Sequence, residues 1–215
     1  CGPIGYEFMH IQDPEKKDWI KQRLETSRSN IKLSNDDKLR IYKKLLSAEM
    51  FESFLHTKFV GSKRFSLEGA EALIVLIDEL MRIAAEEELD SVVIGMAHRG
   101  RVNVLVNNIG KKPEQVFNEF AGDIDINSFQ GSGDVKYHLG EKGIYKTESG
   151  KTIKSILSPN PSHLELVNPI ISGMARAIDN ILDDASFKMS LPITVHGDAA
   201  FAGQGIVAET LNLSQ

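Results

Sequence analysis

The chain has 215 residues, the size of one domain or of one domain with a helical extension. Hydrophobic residues make up 41% and charged residues 26%, near the averages of globular proteins, which excludes disordered, collagenous and coiled-coil classes. Thirty acidic residues against twenty-five basic ones leave a net charge of −5 with no long Lys/Arg block, which argues against nucleic acid and anionic membranes as partners.

In chain order, Asp13 caps a first helix with Pro14 at its first position, ahead of Trp19, Ile20 and Leu24. A polar break at Thr26 to Asn30 follows. Ser34 or Asn35 caps a second helix carrying Leu39, Tyr42, Leu45 and Leu46, and Ser47 starts a third with Met50, Phe51, Phe54 and Leu55. Each of these aromatics reads as part of a core-facing stripe in a helical segment over residues 1–60. From Ser66, read as another cap, Ala70, Leu73, Ile74, Ile77, Met81 and Ala84 mark one face of a helix. Ser91 to Ile94 is then a short apolar strand, of the kind buried on both sides in a parallel sheet. A short helix through Val104, Leu105 and Ile109 stops at Gly110, and Pro113 opens another with Val116, Phe117 and Phe120. After a polar loop to Gly133, Ile144 to Thr147 and Thr152 to Ile156 form a hairpin about Ser149-Gly150. The loop Ser158 to His163 leads to a helix with Val167, Ile170, Ile171, Met174 and Ile178. A second buried strand, Leu191 to Val195, follows, and a last helix runs from about Gly205. The alternation predicts an α/β fold: an open, mainly parallel sheet flanked by helices, with ligands outside the carboxyl ends of the strands.

The longest apolar run, Ala72 to Ile77, falls far short of the ~20 residues a membrane helix needs. No signal segment opens the chain, and the single cysteine, Cys1, cannot form an internal disulfide. A chain that begins with Cys and stops at Leu213-Ser214-Gln215, inside an apolar helical pattern, reads as a piece of a longer protein.

Chemistry gathers where the strands end. His98 and His196 sit just past strands, and His138 and His163 sit in Gly/Pro-rich loops; His10 and His56 read as structural. His98-Arg99-Gly100-Arg101 offers an imidazole and two guanidiniums at the start of a helix, a setting that suits carboxylate or phosphate. Pairing of Arg99 and Arg101 with surface acids is an equal alternative. In His196-Gly197-Asp198-Ala199-Ala200, Asp198 offers a hard carboxylate to a divalent cation, or serves as a cap or turn residue, beside small residues that admit a ligand to the backbone. No Walker loop, close His/Cys zinc spacing or Gly-x-Ser-x-Gly elbow occurs, although Gly131-Ser132-Gly133 is present.

Six strings in order then carry a resemblance. They are Gly5 to Ile11, Lys63-Arg64-Phe65-Ser66-Leu67-Glu68-Gly69, Gly95-Met96-Ala97-His98-Arg99-Gly100-Arg101, Gly133 to Gly140, Asn160-Pro161-Ser162-His163-Leu164-Glu165, and His196 to Gly205. Together they resemble the 2-oxoglutarate dehydrogenase family, the thiamine-diphosphate-dependent decarboxylating component of the 2-oxo acid dehydrogenase complex. The resemblance implies that residues 61–215 form a diphosphate-binding domain with Mg2+ on Asp198. It implies cofactor contacts from Arg99, Ser162, Leu164, Asp198, Ala199 and Ala200, and a catalytic role for His98 and His138. The implied substrate is 2-oxoglutarate and the implied partner a dihydrolipoyl succinyltransferase with its lipoyl group. A homodimer of the full-length protein is implied as well, in a bacterial cytoplasm or a mitochondrial matrix. Two alternatives stand beside it: a relative acting on 2-oxoadipate, one methylene longer, and a fragment that only binds or assembles.

Overall fold

A computed structural model of the chain describes residues 5–27, 32–121 and 137–214. Cys1, the last part of the polar break, the loop with Gly131-Ser132-Gly133, the first half of the Gly133 to Gly140 string and Gln215 lie outside the described residues. The chain divides into two compact units, residues 1–40 and 41–215.

In the first unit, α1 (Pro14–Ser27) begins as the sequence predicts: Asp13 Oδ1 accepts the backbone N–H groups of Glu15 at 2.9 Å and Lys16 at 3.3 Å. Trp19 lies on the surface under Arg23, whose guanidinium carbon sits 4.9 Å from the ring centre. The second helix, α2 (Asn35–Lys58), is capped by Ser34. Its Oγ accepts the Asp37 N–H at 3.0 Å and donates to Asp37 Oδ2 at 2.6 Å, a capping box with Asp in place of Glu.

Two expectations fail along α2. It runs unbroken through Ser47, which starts no third helix; the Ser47 hydroxyl bonds Asn107 Oδ1 at 2.6 Å instead. Nothing in 47–50 breaks a helix, and a serine whose hydroxyl finds a side-chain partner has no need to act as a cap. The aromatics do not all face a core either. Phe51 and Leu55 are buried, whereas Tyr42, Met50 and Phe54 are exposed.

Ser66 is likewise no helix cap. Its Oγ accepts the Glu68 N–H in a local turn, and α3 starts later, at Ala72–Glu86. Ile74, Ile77, Met81, Ala84 and Ala85 of α3 pack on β1 (Ser91–Met96), whose six residues are all buried. The chain continues as α4 (Arg101–Val104), a wide π turn at Leu105–Ile109 ended by Gly110 at φ 92°, and α5 (Pro113–Ala121). The hairpin is present as β2 (Glu141–Lys146) and β3 (Thr152–Leu157), turning at Gly150 with φ 91°. Gly143 of β2 lies so close to the carbonyl of Ile109 that a β-carbon there would collide with backbone, so only glycine fits. Next come α6 (Val167–Ile181), β4 (Ser190–Val195), α7 (Asp198–Gly203) and α8 (Gly205–Leu211).

The sheet order is β2-β3-β1-β4, with β1 parallel to both β3 and β4 and β2 antiparallel to β3. Alternation along β1 explains the layering. Val92, Ile94 and Met96 join the α3 cluster, while Val93 joins Val167 and Ile171 of α6 on the other face. This is the predicted open, mainly parallel α/β sheet flanked by helices. β4 departs from the expectation of a buried strand: it lies at an edge and alternates half-buried Leu191, Ile193 and Val195 with exposed Pro192 and Thr194. An edge is where a strand proline, which has no N–H to give a ladder, belongs. Among the described residues, no helix is long and apolar enough to cross a membrane.

The turn feeding β4 is organised by Asp184. Its carboxylate accepts the Ser186 hydroxyl at 2.6 Å and the backbone N–H groups of Lys188 at 2.7 Å, Ser186 at 2.9 Å and Met189 at 3.1 Å. The Ser186 hydroxyl and the Lys188 amide foremost hold its pKa down to about 2. A carboxyl whose folded pKa lies below its unfolded value stabilises the fold above the unfolded pKa, and that contribution is lost as pH falls toward the folded one. Asp184→Asn therefore melts below the parent protein at pH 7. Melting curves taken down to pH 3 should show the gap closing below ~4, the unfolded aspartate value; a gap independent of pH would refute this role.

Candidate active site

Because β3, β1 and β4 are parallel, their carboxyl ends share one edge, and each releases a loop there. The β1 loop carries Ala97, His98 and Arg99; the β3 loop carries Ser158 to Glu165; the β4 end carries His196 and Gly197 and leads into α7 at Asp198 to Ala200. Main-chain bonds fasten these loops to the sheet and to each other. Ser158 N–H donates to Ile94 O at 2.9 Å, Ala97 N–H to Val195 O at 3.3 Å and Asn160 N–H to His138 O at 3.0 Å. The Asn160 side chain adds a bond from Nδ2 to Met96 O at 2.5 Å.

Between the first two loops lies a cavity of about 360 Å³. Its walls include His98, Arg99, Ser162, His163, Leu164 and Glu165, with Phe65 and Lys63 from the segment before α3. Phe65 is held at φ 46° while its carbonyl accepts the Gly100 N–H at 2.8 Å. Its ring meets His98 edge-on at 5.3 Å and Tyr137 at 4.8 Å. Tyr137 in turn donates its hydroxyl to the Lys63 carbonyl. His138 stands beside this cavity: its ring centre is 5.2 Å from that of His98, and its Nε2 lies 2.9 Å from Ser162 Oγ.

Five of the residues singled out in the sequence are thus brought together: His98, His138, Arg99, Ser162 and Leu164. The other three are placed apart. Asp198, Ala199 and Ala200 form the first turn of α7 at the end of β4, and Asp198 lines a neighbouring hollow with His196 and Phe201. Among the described residues no group of three His, Cys, Asp or Glu side chains could hold a metal ion. Asp198 alone offers a carboxylate, and a magnesium ion there would complete its shell with phosphate oxygens and water. The cavity suits an organic diphosphate better: a fork-shaped cation, a hydroxyl and two imidazoles stand against the apolar faces of Phe65, Leu164 and Val167.

Arg101 serves neither of the purposes open to it in the sequence. It is fully buried, meets no surface acid among the described residues and does not line the cavity; one terminal nitrogen donates to Leu139 O and to Ser158 O, both at 2.6 Å. Its Nε and other terminal nitrogen have no partner among the described residues. Burial pushes its pKa down to about 10, so it remains charged at neutral pH. His56 accepts from Arg64 at 2.9 Å, in keeping with a structural role, whereas His10 is exposed.

Sequence reasoning missed Glu165. It is buried, sits at φ 68°, and its Oε2 accepts from His196 Nδ1 at 2.5 Å and Asn168 Nδ2 at 3.0 Å. A left-handed non-glycine backbone costs ~1–3 kcal/mol and persists only where the surroundings impose it. The positive φ has no signature in the residue type, and the histidine partner is 31 positions away.

Residues 43–215 match the family model described as dehydrogenase E1 component. The whole chain is similar, at 50% identity over 215 residues, to the 2-oxoglutarate dehydrogenase E1 component of Cupriavidus necator, of which it covers 22%. It is 49% identical over 219 residues to the multifunctional 2-oxoglutarate metabolism enzyme of Mycolicibacterium vanbaalenii, covering all of this chain and 17% of that protein. The chain therefore spans about a fifth of the length of these curated relatives.

Proposed function

The chain belongs to the dehydrogenase E1 component family, and on that footing we propose that residues 61–215 are the diphosphate-binding part of an enzyme that decarboxylates 2-oxoglutarate using thiamine diphosphate and Mg2+. The succinyl group passes to the lipoyl group of a dihydrolipoyl succinyltransferase partner, and the full-length protein acts as a homodimer. What carries the reading is the cavity at the shared strand edge, where His98, Arg99, Ser162 and Leu164 converge with His138 alongside. The names of the two relatives support the choice of acid.

Thiamine diphosphate, when bound, supplies the nucleophilic carbon and the electron sink that decarboxylation of a 2-oxo acid requires. The chain's own residues do the rest. Arg99 presents a planar fork of donors suited to a carboxylate or a phosphate. Ser162 is held by His138 and lends its hydroxyl to the same cavity. His98 and His138, as imidazoles that can give or take a proton, hold and deliver protons at the substrate's keto oxygen and steady charge as it develops there. Leu164, Phe65 and Val167 give the cavity its apolar walls. Asp198 offers its carboxylate to Mg2+, and Ala199 and Ala200 let the diphosphate approach the backbone.

The test is the full-length protein assayed with thiamine diphosphate, Mg2+ and an artificial electron acceptor. Reduction of the acceptor with 2-oxoglutarate, dependent on the cofactor, is the expected result, and 2-oxoadipate run beside it ranks the two acids. No reduction with either would sink the reading.

A further inference from the structure

The Glu165–His196 pair links two loops that the proposed reading requires to act together. Glu165 closes the β3 loop three residues after Ser162 and directly after Leu164, and it lines the cavity. His196 stands at the end of β4, two residues before Asp198. Between them runs one short hydrogen bond, Nδ1 to Oε2 at 2.5 Å, with Asn168 of α6 donating to the same oxygen at 3.0 Å. Phe201 of α7 meets the His196 ring edge-on at 4.9 Å, so the imidazole is held from the other side as well.

Resting on that reading, we infer that Glu165 and His196 are positioning residues: their hydrogen bond fixes the distance between Ser162 and Leu164 on one loop and Asp198 to Ala200 on the other, so that one diphosphate cofactor can touch both. Neither residue is assigned contact with the reacting atoms. The buried carboxylate, with its backbone in the left-handed region, sets one end of the link, and the β4 backbone sets the other. Without the link, each loop keeps its own anchors to the sheet but loses its reference to the other. The expected signature is weakened cofactor binding in a protein that still folds.

The experiment titrates the full-length protein with thiamine diphosphate by calorimetry, with Mg2+ present, and melts the cofactor-free protein in parallel. Glu165→Ala and His196→Ala should weaken binding roughly 10–100-fold, the scale on which groups behind a ligating residue act. Glu165→Gln keeps an acceptor oxygen and should recover most of the loss. His196→Asn keeps an amide donor where Nδ1 was and should bind well, whereas His196→Gln moves that donor to the Nε2 position and should not. The Asn and Gln forms therefore decide the matter even if the alanine variants do not fold. Three results overturn the inference: alanine variants that bind as the wild type does, Asn and Gln forms that behave alike, or binding losses matched by an equal loss of cofactor-free stability. A wild-type protein that takes up no thiamine diphosphate overturns the proposed function instead, and the inference with it.

Discussion

On the proposed function, His98→Ala and His138→Ala in the full-length protein are each expected to lower turnover of 2-oxoglutarate by ~10²–10⁴, the usual loss when a positioned proton donor is removed, while the melting temperature barely moves. Both imidazoles stand half-buried at the carboxyl edge of the sheet, outside the apolar clusters that hold the fold. Truncating side chains outside a core is usually worth little in stability. A fall in kcat and kcat/KM together would assign the lost interaction to the transition state, and a rise in KM alone to ground-state binding. His138→Gln sharpens the test, because it offers Ser162 an amide that cannot give or take a proton. If its rate matches the wild type, His138 only positions Ser162. If either alanine variant unfolds in proportion to its lost activity, that histidine is structural.

The second large effect is on stability. Arg101→Ala strips the charged donor from two carbonyls, Leu139 O and Ser158 O, each bonded at 2.6 Å. Hydrogen bonds to a charged group are worth ~1.5–3 kcal/mol each, and truncation adds a cavity where a fully buried side chain stood. Opposing this is the relief of a guanidinium whose pKa burial has pushed down to about 10, at ~1.4 kcal/mol per unit of pKa. The balance is a net loss of about 3 kcal/mol. Arg101→Met, which keeps much of the volume and removes the charge, should lose less than alanine. Thermal unfolding of the two variants checks the order; equal losses would mean that the filled volume contributes nothing.

Much of the scaffold was readable because its signals are local. Ser91 to Ile94 announce a strand covered on both faces, which the structure extends to Met96, Asp13-Pro14 announces a helix start, and Ser149-Gly150 a hairpin turn. The two misplaced helix starts share one cause: a serine reads as a cap wherever a helix could start after it. At Ser34 that holds, but at Ser47 and Ser66 the hydroxyl has another partner. β4 resembles β1 in composition, and only the strand order makes one central and the other an edge. Within the candidate site, the residues at strand ends could be named, since parallel strands bring their carboxyl ends to one side. The buried place of Arg101 could not, because an arginine beside a histidine and a glycine looks the same whether it faces a ligand or two backbone carbonyls. Glu165 escaped for a related reason: its partner, His196, lies across the sheet's edge and not along the chain.

The loops of the site hang on amide hydrogens of Ser158, Ala97, Asn160 and Gly100, which belong to the main chain and not to any side chain. Much of the site's geometry is thereby carried by main-chain atoms. The outward side chains at Lys63, Arg99, His163 and Leu164 can be exchanged without releasing a loop, because none of those four amide bonds depends on them. The surface of such a scaffold can change while each strand end stays where the sheet has put it.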